Sequence, residues 1–381
     1  MYHIIKILIF SIIALPLLNG CGDKTETKPN NNSVKIGIIV PLEGKDSAMG
    51  DEAIKGLKIL QKAAPLTSDG TKIELVYKDN RSDPNLTLKR YKELALNKEI
   101  KAIVVIAEST ILLKIADMAD GYRTPTLNMF ATHPGISKKS RYISSICFNN
   151  THQGQVAALY IRDDLLLDRA AIFYDQENPY SATLSREFKK KFKSIEGEVV
   201  DMLPGNLTGD KLKKELELLR NENTDVLYMT QNINNVLEVL KAVKKMDWNV
   251  IMMSRDGLLS RIKSKHKEMI RLADGLLTTD HFSNSMPLSD LGTEIVEKYI
   301  DNIDGVTNFA ALSGEGYLLL KHSLEQCADT FEKECINANM RNVDQFKGFM
   351  GDFDISKGNA MRPVIISRIK KGKMIFIVKI Y

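Results

Sequence analysis

The sequence predicts an α/β protein made of two doubly wound parallel-sheet lobes. From Val34 onward, short apolar strand-like segments alternate with longer amphipathic helical segments. The strand-like segments are apolar on both faces, which is typical of parallel strands covered by helices on each side. The alternation restarts near position 150, and a folded part of about 350 residues is long enough for two domains. We therefore expect two lobes of similar design.

The first series of elements begins at Val34. Its first helix shows the helical period clearly, since Met49, Ala53, Leu57 and Leu60 recur on one face. The predicted strands are Val34–Pro41, Lys72–Lys78, Ala102–Ala107, Thr124–Met129 and Tyr142–Phe148, and the predicted helices are Ser47–Ala64, Pro84–Asn97 and Ser109–Asp120.

The second series repeats this rhythm and then changes. Its predicted strands are Arg169–Tyr174, Glu198–Met202, Asp225–Thr230, Asn249–Ser254 and Gly275–Thr279, and its predicted helices are His152–Leu165, Ser181–Ser194, Gly209–Asn223 and Asn234–Met246. Two more helices, Leu288–Ile303 and Ala310–Cys327, follow. A hairpin-like pair, Pro363–Ile369 and Met374–Ile380, ends the chain.

The N-terminal segment predicts an export signal followed by a tether. Lys6 precedes an apolar run, Ile7 to Leu18, whose 12 residues are too few to span a bilayer. Leu18-Asn19-Gly20-Cys21 resembles the bacterial lipobox, which predicts a signal peptide at 1–20 and a lipid on Cys21. A cleaved signal without lipid is the alternative. Residues 21–33 are polar and predict a flexible tether.

Composition and motifs argue against several functions. A net charge of +5 over 381 residues is too weak to indicate nucleic-acid binding. There is no phosphate-binding Gly-Lys-Ser/Thr loop and no zinc-protease motif, and the six histidines are scattered. Leu312-Ser313-Gly314-Glu315-Gly316 is a poor nucleophile elbow, because Ala311 stands where the first glycine belongs. We expect no enzymatic activity, no cofactor and no metal.

The cysteines fit an extracytoplasmic protein. Cys327 and Cys335 lie eight positions apart in a polar stretch, where a local disulfide can form outside the cytoplasm. Two unrelated thiols are the alternative. Cys147 lies in an apolar run and is expected to be a buried, inert thiol.

Four polar residues follow predicted strands, where open α/β sheets bind ligands. Ser109 and Thr132 come after strands of the first series, and Tyr180 and Asp256 after strands of the second. Ser109 opens a helix, whose N–H groups and dipole favour an anion, and Asp256 suits an ammonium group. Each has a local alternative: Ser109 and Asp256 as helix caps, Tyr180 as a packing residue.

Together these features resemble the Leu/Ile/Val-binding protein family, the type I periplasmic binding proteins of ABC importers. The resemblance covers the chain from Val34 onward. It is carried by VKIGIIVPLEGKDSAMG, IELVYKDNRSDP, AIVVIAEST and TPTLNMFATHP. It implies two lobes joined by a hinge, with residues 34–150 plus 280–346 in the N-terminal lobe and residues 151–279 plus 347–381 in the C-terminal lobe.

The resemblance also implies roles for the polar residues. The hydroxyls of Ser109 and Thr132, with the backbone at Phe130, are expected to bind the α-carboxylate of an amino acid. Tyr180 matches an aromatic residue that covers the ligand. Asp256 matches the acid that pairs with the α-ammonium group.

Further positions match less closely. Met49 stands where members often place an aromatic residue against the ligand, and Asn232 and Phe309 are looser matches. Glu108 departs from the family pattern and adds a charge beside the expected carboxylate site.

The resemblance implies a monomeric, lipid-anchored solute-binding protein on the outer face of a membrane. It would capture an amino acid or a similar small zwitterion or amide and deliver it to an ABC permease. Two alternatives remain open: a sensor whose closure is read by a receptor, and a protein-interaction module of the same fold without a transported ligand.

Overall fold

The computed structural model describes residues 33–328 and 330–381. It contains two lobes, each with one sheet between helices, so the predicted fold class is confirmed. The strands are β1 (Ser33–Val40), β2 (Lys72–Asp79), β3 (Ile100–Val105), β4 (Thr126–Asn128), β5 (Ile143–Ser145), β6 (Arg169–Tyr174), β7 (Glu198–Pro204), β8 (Val226–Met229), β9 (Ile251–Ser254), β10 (Leu277–Asp280), β11 (Val343–Lys347), β12 (Asp352–Ser356), β13 (Asn359–Met361), β14 (Val364–Lys370) and β15 (Lys373–Ile380).

Twelve α-helices occur in the described residues, and the sequence pattern did not predict three of them, Gly135–Lys139, Leu258–Lys265 and Lys333–Arg341. The helices are α1 (Ser47–Ala63), α2 (Pro84–Leu96), α3 (Ser109–Tyr122), α4 (Gly135–Lys139), α5 (Asn150–Leu159), α6 (Pro179–Ser194), α7 (Gly209–Asn221), α8 (Ile233–Lys245), α9 (Leu258–Lys265), α10 (Asp290–Tyr299), α11 (Asn308–Glu325) and α12 (Lys333–Arg341). Helix α5 continues as a π-helix over Tyr160–Asp164, and 3₁₀ turns cover Lys267–Ala273 and Ile303–Gly305.

Each sheet has a parallel centre and an antiparallel edge. The first sheet has the order β11-β12-β13-β5-β4-β3-β1-β2, and β11, β12 and β13 pair antiparallel. The second sheet has the order β15-β14-β10-β9-β8-β6-β7, and β14 pairs antiparallel with both neighbours. Apolar cores fill both faces of each sheet, as a doubly wound lobe requires.

Local capping interactions determine where the helices that border the cleft begin. The side chain of Asn178 accepts the N–H groups of Tyr180 and Ser181, and Pro179 supplies the first helical position of α6. Tyr180 therefore lies in the first turn of α6, although the sequence pattern starts this helix at Ser181. At α3 the cap position is Glu108, so Ser109 is the first helical residue and not the cap.

The chain crosses between the lobes three times: after β5, after β10 and after β13. We call these crossings, residues 146–149, 281–285 and 362–363, the hinge. The predicted start of the second-lobe tail at position 347 is wrong, because β12 and β13 pair in the first sheet. The lobe therefore changes only after Met361. These short, largely polar strands are held at the sheet edge by long-range pairing, so their local pattern did not indicate them.

Buried groups occupy the hinge. The rings of Phe148 and His281 stack with centroids 3.6 Å apart. Arg362 forms an ion pair with Glu315 at 3.4 Å, and the two side chains are 4% and 0% exposed. The hinge is therefore packed as a core and not as an exposed linker.

The described residues contain one disulfide and one free cysteine. Cys327 and Cys335 form a disulfide that closes the turn between α11 and α12, and Cys147 is a buried free thiol. Cys21, the expected lipidation site, lies outside the described residues, as do the expected signal and most of the tether. Within residues 33–328 and 330–381, the structure has no helix that is both long and apolar enough to cross a membrane.

Candidate functional site

The predicted ligand residues meet in the cleft between the lobes. A cavity of about 60 Å³, which we call the central cavity, is bordered by both lobes. Its walls include Met49, Ser109, Phe130, Tyr180, Asp256 and Phe309, six of the eight residues singled out in the sequence. They come from loops and helix starts that follow the carboxyl ends of parallel strands, and from α1 and α11.

The first-lobe wall carries neutral hydrogen-bond donors. Ser109 is 3% exposed, and its hydroxyl has no hydrogen-bond partner among the described residues. It stands at the N-terminus of α3, where backbone N–H groups and the helix dipole favour negative charge. A buried hydroxyl without a partner costs stability, so its presence here fits a donor that is kept for a ligand.

The same wall carries an apolar cluster. The rings of Phe130 and Phe309 lie 4.9 Å apart, and Met49 borders the same cavity. Met49 belongs to α1 and Phe309 to α11, and these helices approach closely at Gly56. A Cβ on Gly56 would lie 1.9 Å from the carbonyl oxygen of Ala310, so only glycine allows this packing.

The second-lobe wall is centred on Asp256, which is 9% exposed. Its Oδ1 accepts hydrogen bonds from the Tyr180 hydroxyl at 2.5 Å and from Nε2 of Gln153 at 3.0 Å. Burial, and then the nearby Asp256 carboxylate, raise the pKa of Tyr180 well above its usual value. The phenol therefore remains a donor at neutral pH and orients the carboxylate.

A second acid, Asp280, stabilises the turn that follows Asp256. The N–H of Gly257 donates to Oδ1 of Asp280 at 2.8 Å. Burial raises the pKa of Asp280 well above its usual value, because desolvation disfavours the charged form. Gly257 has a φ of 68°, and the Phe309 ring lies 3.0 Å from the position of a Cβ there. The turn therefore requires glycine for both its backbone conformation and its contact with the first lobe.

Two arginines complete the second-lobe wall. The guanidinium of Arg255 lies 4.9 Å above the ring of Tyr180. Arg261 forms an ion pair across the cleft with Glu108 at 3.4 Å, and its guanidinium lies 5.7 Å from the ring of Phe309. The lobes are thus in direct contact around the central cavity.

The structure does not bring Thr132 and Asn232 to the central cavity. Thr132 is 1% exposed, and its hydroxyl donates to Oδ1 of Asn150 at 2.5 Å. Asn150 in turn donates to the carbonyl of Tyr180 at 3.1 Å. Thr132 therefore lies behind the cavity wall and stabilises it through Asn150. Asn232 caps α8 and borders a neighbouring cavity of about 350 Å³.

Sequence reasoning missed three residues of this site. Arg255 directly precedes Asp256, so its position beside a candidate acid was an available signal. Arg261 lies on α9, a helix that the sequence pattern did not reveal. Gln153 lies in α5 and reaches Asp256 from 103 positions away, and nothing in the local sequence indicates that contact.

Comparisons with known proteins identify the family and the fold of this chain. The family model described as "Periplasmic binding protein" matches residues 33–373. A curated relative from Brucella melitensis biotype 1, "Leu/Ile/Val-binding protein homolog 3", is 22% identical over 161 residues. That match covers 41% of this chain and 43% of the relative, so the chain aligns with less than half of the relative's length.

Solved structures show the fold over nearly the whole described chain. A leucine-binding protein from Thermotoga maritima is 24% identical, with a TM-score of 0.80, and 91% of this chain and 98% of that chain are covered. A branched-chain amino-acid transporter substrate-binding protein from Streptococcus pneumoniae, solved with isoleucine, is 19% identical, with a TM-score of 0.77 and coverage of 91% and 100%. A solute-binding protein from R. palustris, solved with 4-hydroxybenzoate, is 18% identical, with a TM-score of 0.76 and coverage of 92% and 96%.

Proposed function

Because this chain belongs to the periplasmic binding protein family, we propose that it captures an α-amino acid between its lobes and delivers it to an ABC permease. One observation carries the proposal. A donor without a partner, Ser109, and a buried carboxylate, Asp256, face one cavity from opposite lobes. These groups complement the two charges of a zwitterion.

Capture begins on the first lobe. The α-carboxylate accepts hydrogen bonds from the Ser109 hydroxyl and from N–H groups at the start of α3. These donors are neutral, so a carboxylate can bind to them before the lobes close. The apolar cluster of Met49, Phe130 and Phe309 packs against the ligand at the same time.

Closure then brings the second lobe to the ammonium group. Tyr180 and Gln153 both donate hydrogen bonds to one oxygen of Asp256, Oδ1. The other oxygen, Oδ2, accepts no hydrogen bond from the described residues. Closure excludes water and strengthens each charge-assisted bond, which contributes about 1.5–3 kcal/mol. A few such bonds with apolar burial reach about −8 kcal/mol, a micromolar affinity.

The relatives support the ligand class. Of the similar structures, one is a leucine-binding protein, one was solved with isoleucine and one with 4-hydroxybenzoate. All three ligands have a carboxylate, which suits the Ser109 side of the cavity. Attachment to a membrane through a lipid on Cys21 is part of the same proposal, since the chain's N-terminal sequence resembles a lipobox.

A protein-interaction module without a ligand is the second candidate. Such a protein has no reason to keep a buried hydroxyl without a partner opposite a buried carboxylate. The site therefore favours a ligand-binding function over this alternative. A sensor would use the same capture step, so it differs only in the protein that reads the closed form.

A thermal-shift screen of the exported chain against amino acids, short amides and 4-hydroxybenzoate tests the proposal. A ligand at 100 times its Kd stabilises a protein by about 2.7 kcal/mol, which raises the melting temperature measurably. We expect at least one α-amino acid to do so. The absence of any shift across the amino acids would contradict capture, and a shift with amides or 4-hydroxybenzoate alone would exclude the ammonium contact.

A further inference from the structure

Arg255 borders both the central cavity and a second cavity of about 350 Å³, and Glu108, Asn178, Tyr180 and Arg261 also border both. The Nε of Arg255 donates to the backbone carbonyl of Gln231 at 3.2 Å, and its guanidinium stacks 4.9 Å above Tyr180. These two contacts fix the guanidinium beside the ligand residues. A group that extends from one cavity to the other therefore passes beside these shared residues, Arg255 among them.

Arg255 forms no ion pair within 4 Å with any carboxylate of the described residues, whereas Arg261 pairs with Glu108 at 3.4 Å. Four charged residues border the central cavity: Glu108, Asp256, Arg255 and Arg261. When a ligand ammonium group binds Asp256, Glu108 is the one other acid on this cavity that can pair with an arginine, whereas two arginines border it. The α-carboxylate of the ligand is bound on the first lobe, so Arg255 lies in the closed cleft without a carboxylate in ion-pair contact, which is costly for a buried guanidinium.

The second cavity offers further groups that suit an anion. The N-termini of α6 and α8, at Asn178 and Asn232, both border it, and Lys45 reaches it from the first lobe. Gln231 also borders it with a fully buried side chain. Neither amide atom of that side chain has a hydrogen-bond partner among the described residues.

Both acids that border the second cavity are already engaged, and the first of them, Glu108, pairs with Arg261 at 3.4 Å. Asp175 borders the second cavity, and its Oδ1 accepts the N–H of Glu177 at 3.1 Å. Its carboxylate therefore stabilises the turn before α6. The cations, the helix N-termini and the Gln231 amide are the groups that remain for a ligand.

We infer that the ligand is an α-amino acid with an acidic side chain, whose second carboxylate binds Arg255 at the entrance to the second cavity. This inference rests on the proposed function, because it assumes that the α-carboxylate and α-ammonium groups bind at Ser109 and Asp256. It adds that the side chain is anionic and not branched and apolar.

Isothermal titration calorimetry of the wild-type chain with matched ligand pairs tests the inference. L-glutamate and L-glutamine have the same shape and differ in charge, as do L-aspartate and L-asparagine, and L-leucine represents an apolar side chain. We expect at least one acid to bind about tenfold or more tightly than its amide and than leucine, since a carboxylate forms a bidentate ion pair with a guanidinium and a neutral amide does not.

Variants locate the charge that makes this selection. Arg255→Met retains an unbranched side chain but removes the charge, so the acid should lose its advantage over the amide. Arg255→Lys keeps a positive charge and should retain part of the preference. Arg186→Met is the matched control, because Arg186 lies on the exposed side of α6 in the same lobe.

The outcomes separate this inference from the proposed function. Tighter binding of leucine than of either acid would overturn the inference and leave amino-acid capture intact. No binding of any amino acid would overturn both. An acid preference that survives Arg255→Met would remove Arg255 from the site. If Arg255→Met does not fold, the matched ligand pairs and Arg255→Lys still decide the question.

Discussion

The two walls of the cleft differ in chemistry. The first-lobe wall combines the Ser109 hydroxyl and the start of α3 with an apolar cluster, and its one acid, Glu108, is paired with Arg261. The second-lobe wall presents Asp256, Arg255 and Arg261, and a network with Tyr180 and Gln153 holds Asp256 in place. Neutral donors and apolar groups can bind a ligand in the open cleft at little desolvation cost. Charged groups contribute most after water is excluded. In the proposed capture mechanism, the ligand therefore binds the first lobe first and the second lobe on closure.

The largest effect is expected from removing the central charge of the second wall. Asp256→Ala should weaken amino-acid binding by about 2–5 kcal/mol, because the ligand's ammonium group would be buried without a partner. Calorimetry measures the loss. Asp201→Ala, at an exposed position on β7, is the control and should leave the affinity unchanged. An unaltered affinity for Asp256→Ala would exclude Asp256 from the site.

A smaller effect is expected from the hydroxyl of the first-lobe wall. Ser109→Ala should weaken binding by about 1.5–3 kcal/mol, the contribution of a hydrogen bond to a charged group. The free energy of unfolding without ligand should not fall, since the Ser109 hydroxyl has no partner among the described residues. Calorimetry and chemical denaturation together test this. A loss of stability with unchanged affinity would make Ser109 a structural residue.

The hinge that joins the two walls should make stability depend on pH through His281. Burial, and then the charge of Arg362, hold the pKa of His281 well below its usual value. Below this usual pKa, His281 therefore binds a proton in the unfolded chain and stays neutral in the folded chain. The His281 contribution is complete above pH of about 6.5 and is lost as pH falls, by about 1.4 kcal/mol per pH unit.

Chemical denaturation of the wild type and of His281→Gln at pH 7.5 and pH 5.5 checks this dependence. The variant should lose less stability on acidification, by about 1.4 kcal/mol for each pH unit below 6.5. His133, His152 and His322, whose pKa values burial also lowers, remain in both proteins and cancel in the comparison. Equal slopes would show that His281 becomes protonated in the folded protein.

The smallest effect is expected from the hydroxyl that orients Asp256. Tyr180→Phe removes one donor to Oδ1, and Gln153 retains the other. The ring that supports Arg255 also remains. Affinity should fall by about 0.5–1.5 kcal/mol, measured by calorimetry with the ligand used for Asp256→Ala. A loss as large as that of Asp256→Ala would mean that the hydroxyl contacts the ligand directly.

Much of the site could be predicted because its residues follow strands. Ser109 and Asp256 come directly after strands of parallel sheets, and the carboxyl ends of such strands lie at one edge. Thr132 shows the limit of this reasoning. It also follows a strand, but its hydroxyl donates to Asn150, a contact between residues 18 positions apart that local sequence does not indicate.

The sequence by itself determined the doubly wound lobes, because hydrophobic periodicity is a local property that each segment carries. It also placed polar residues at the ends of strands. Only the tertiary structure decided that β12 and β13 belong to the first sheet, that Gln153 orients Asp256, and that Arg255 borders two cavities. Each of these depends on contacts between distant parts of the chain, and packing, not propensity, determines which of those contacts form.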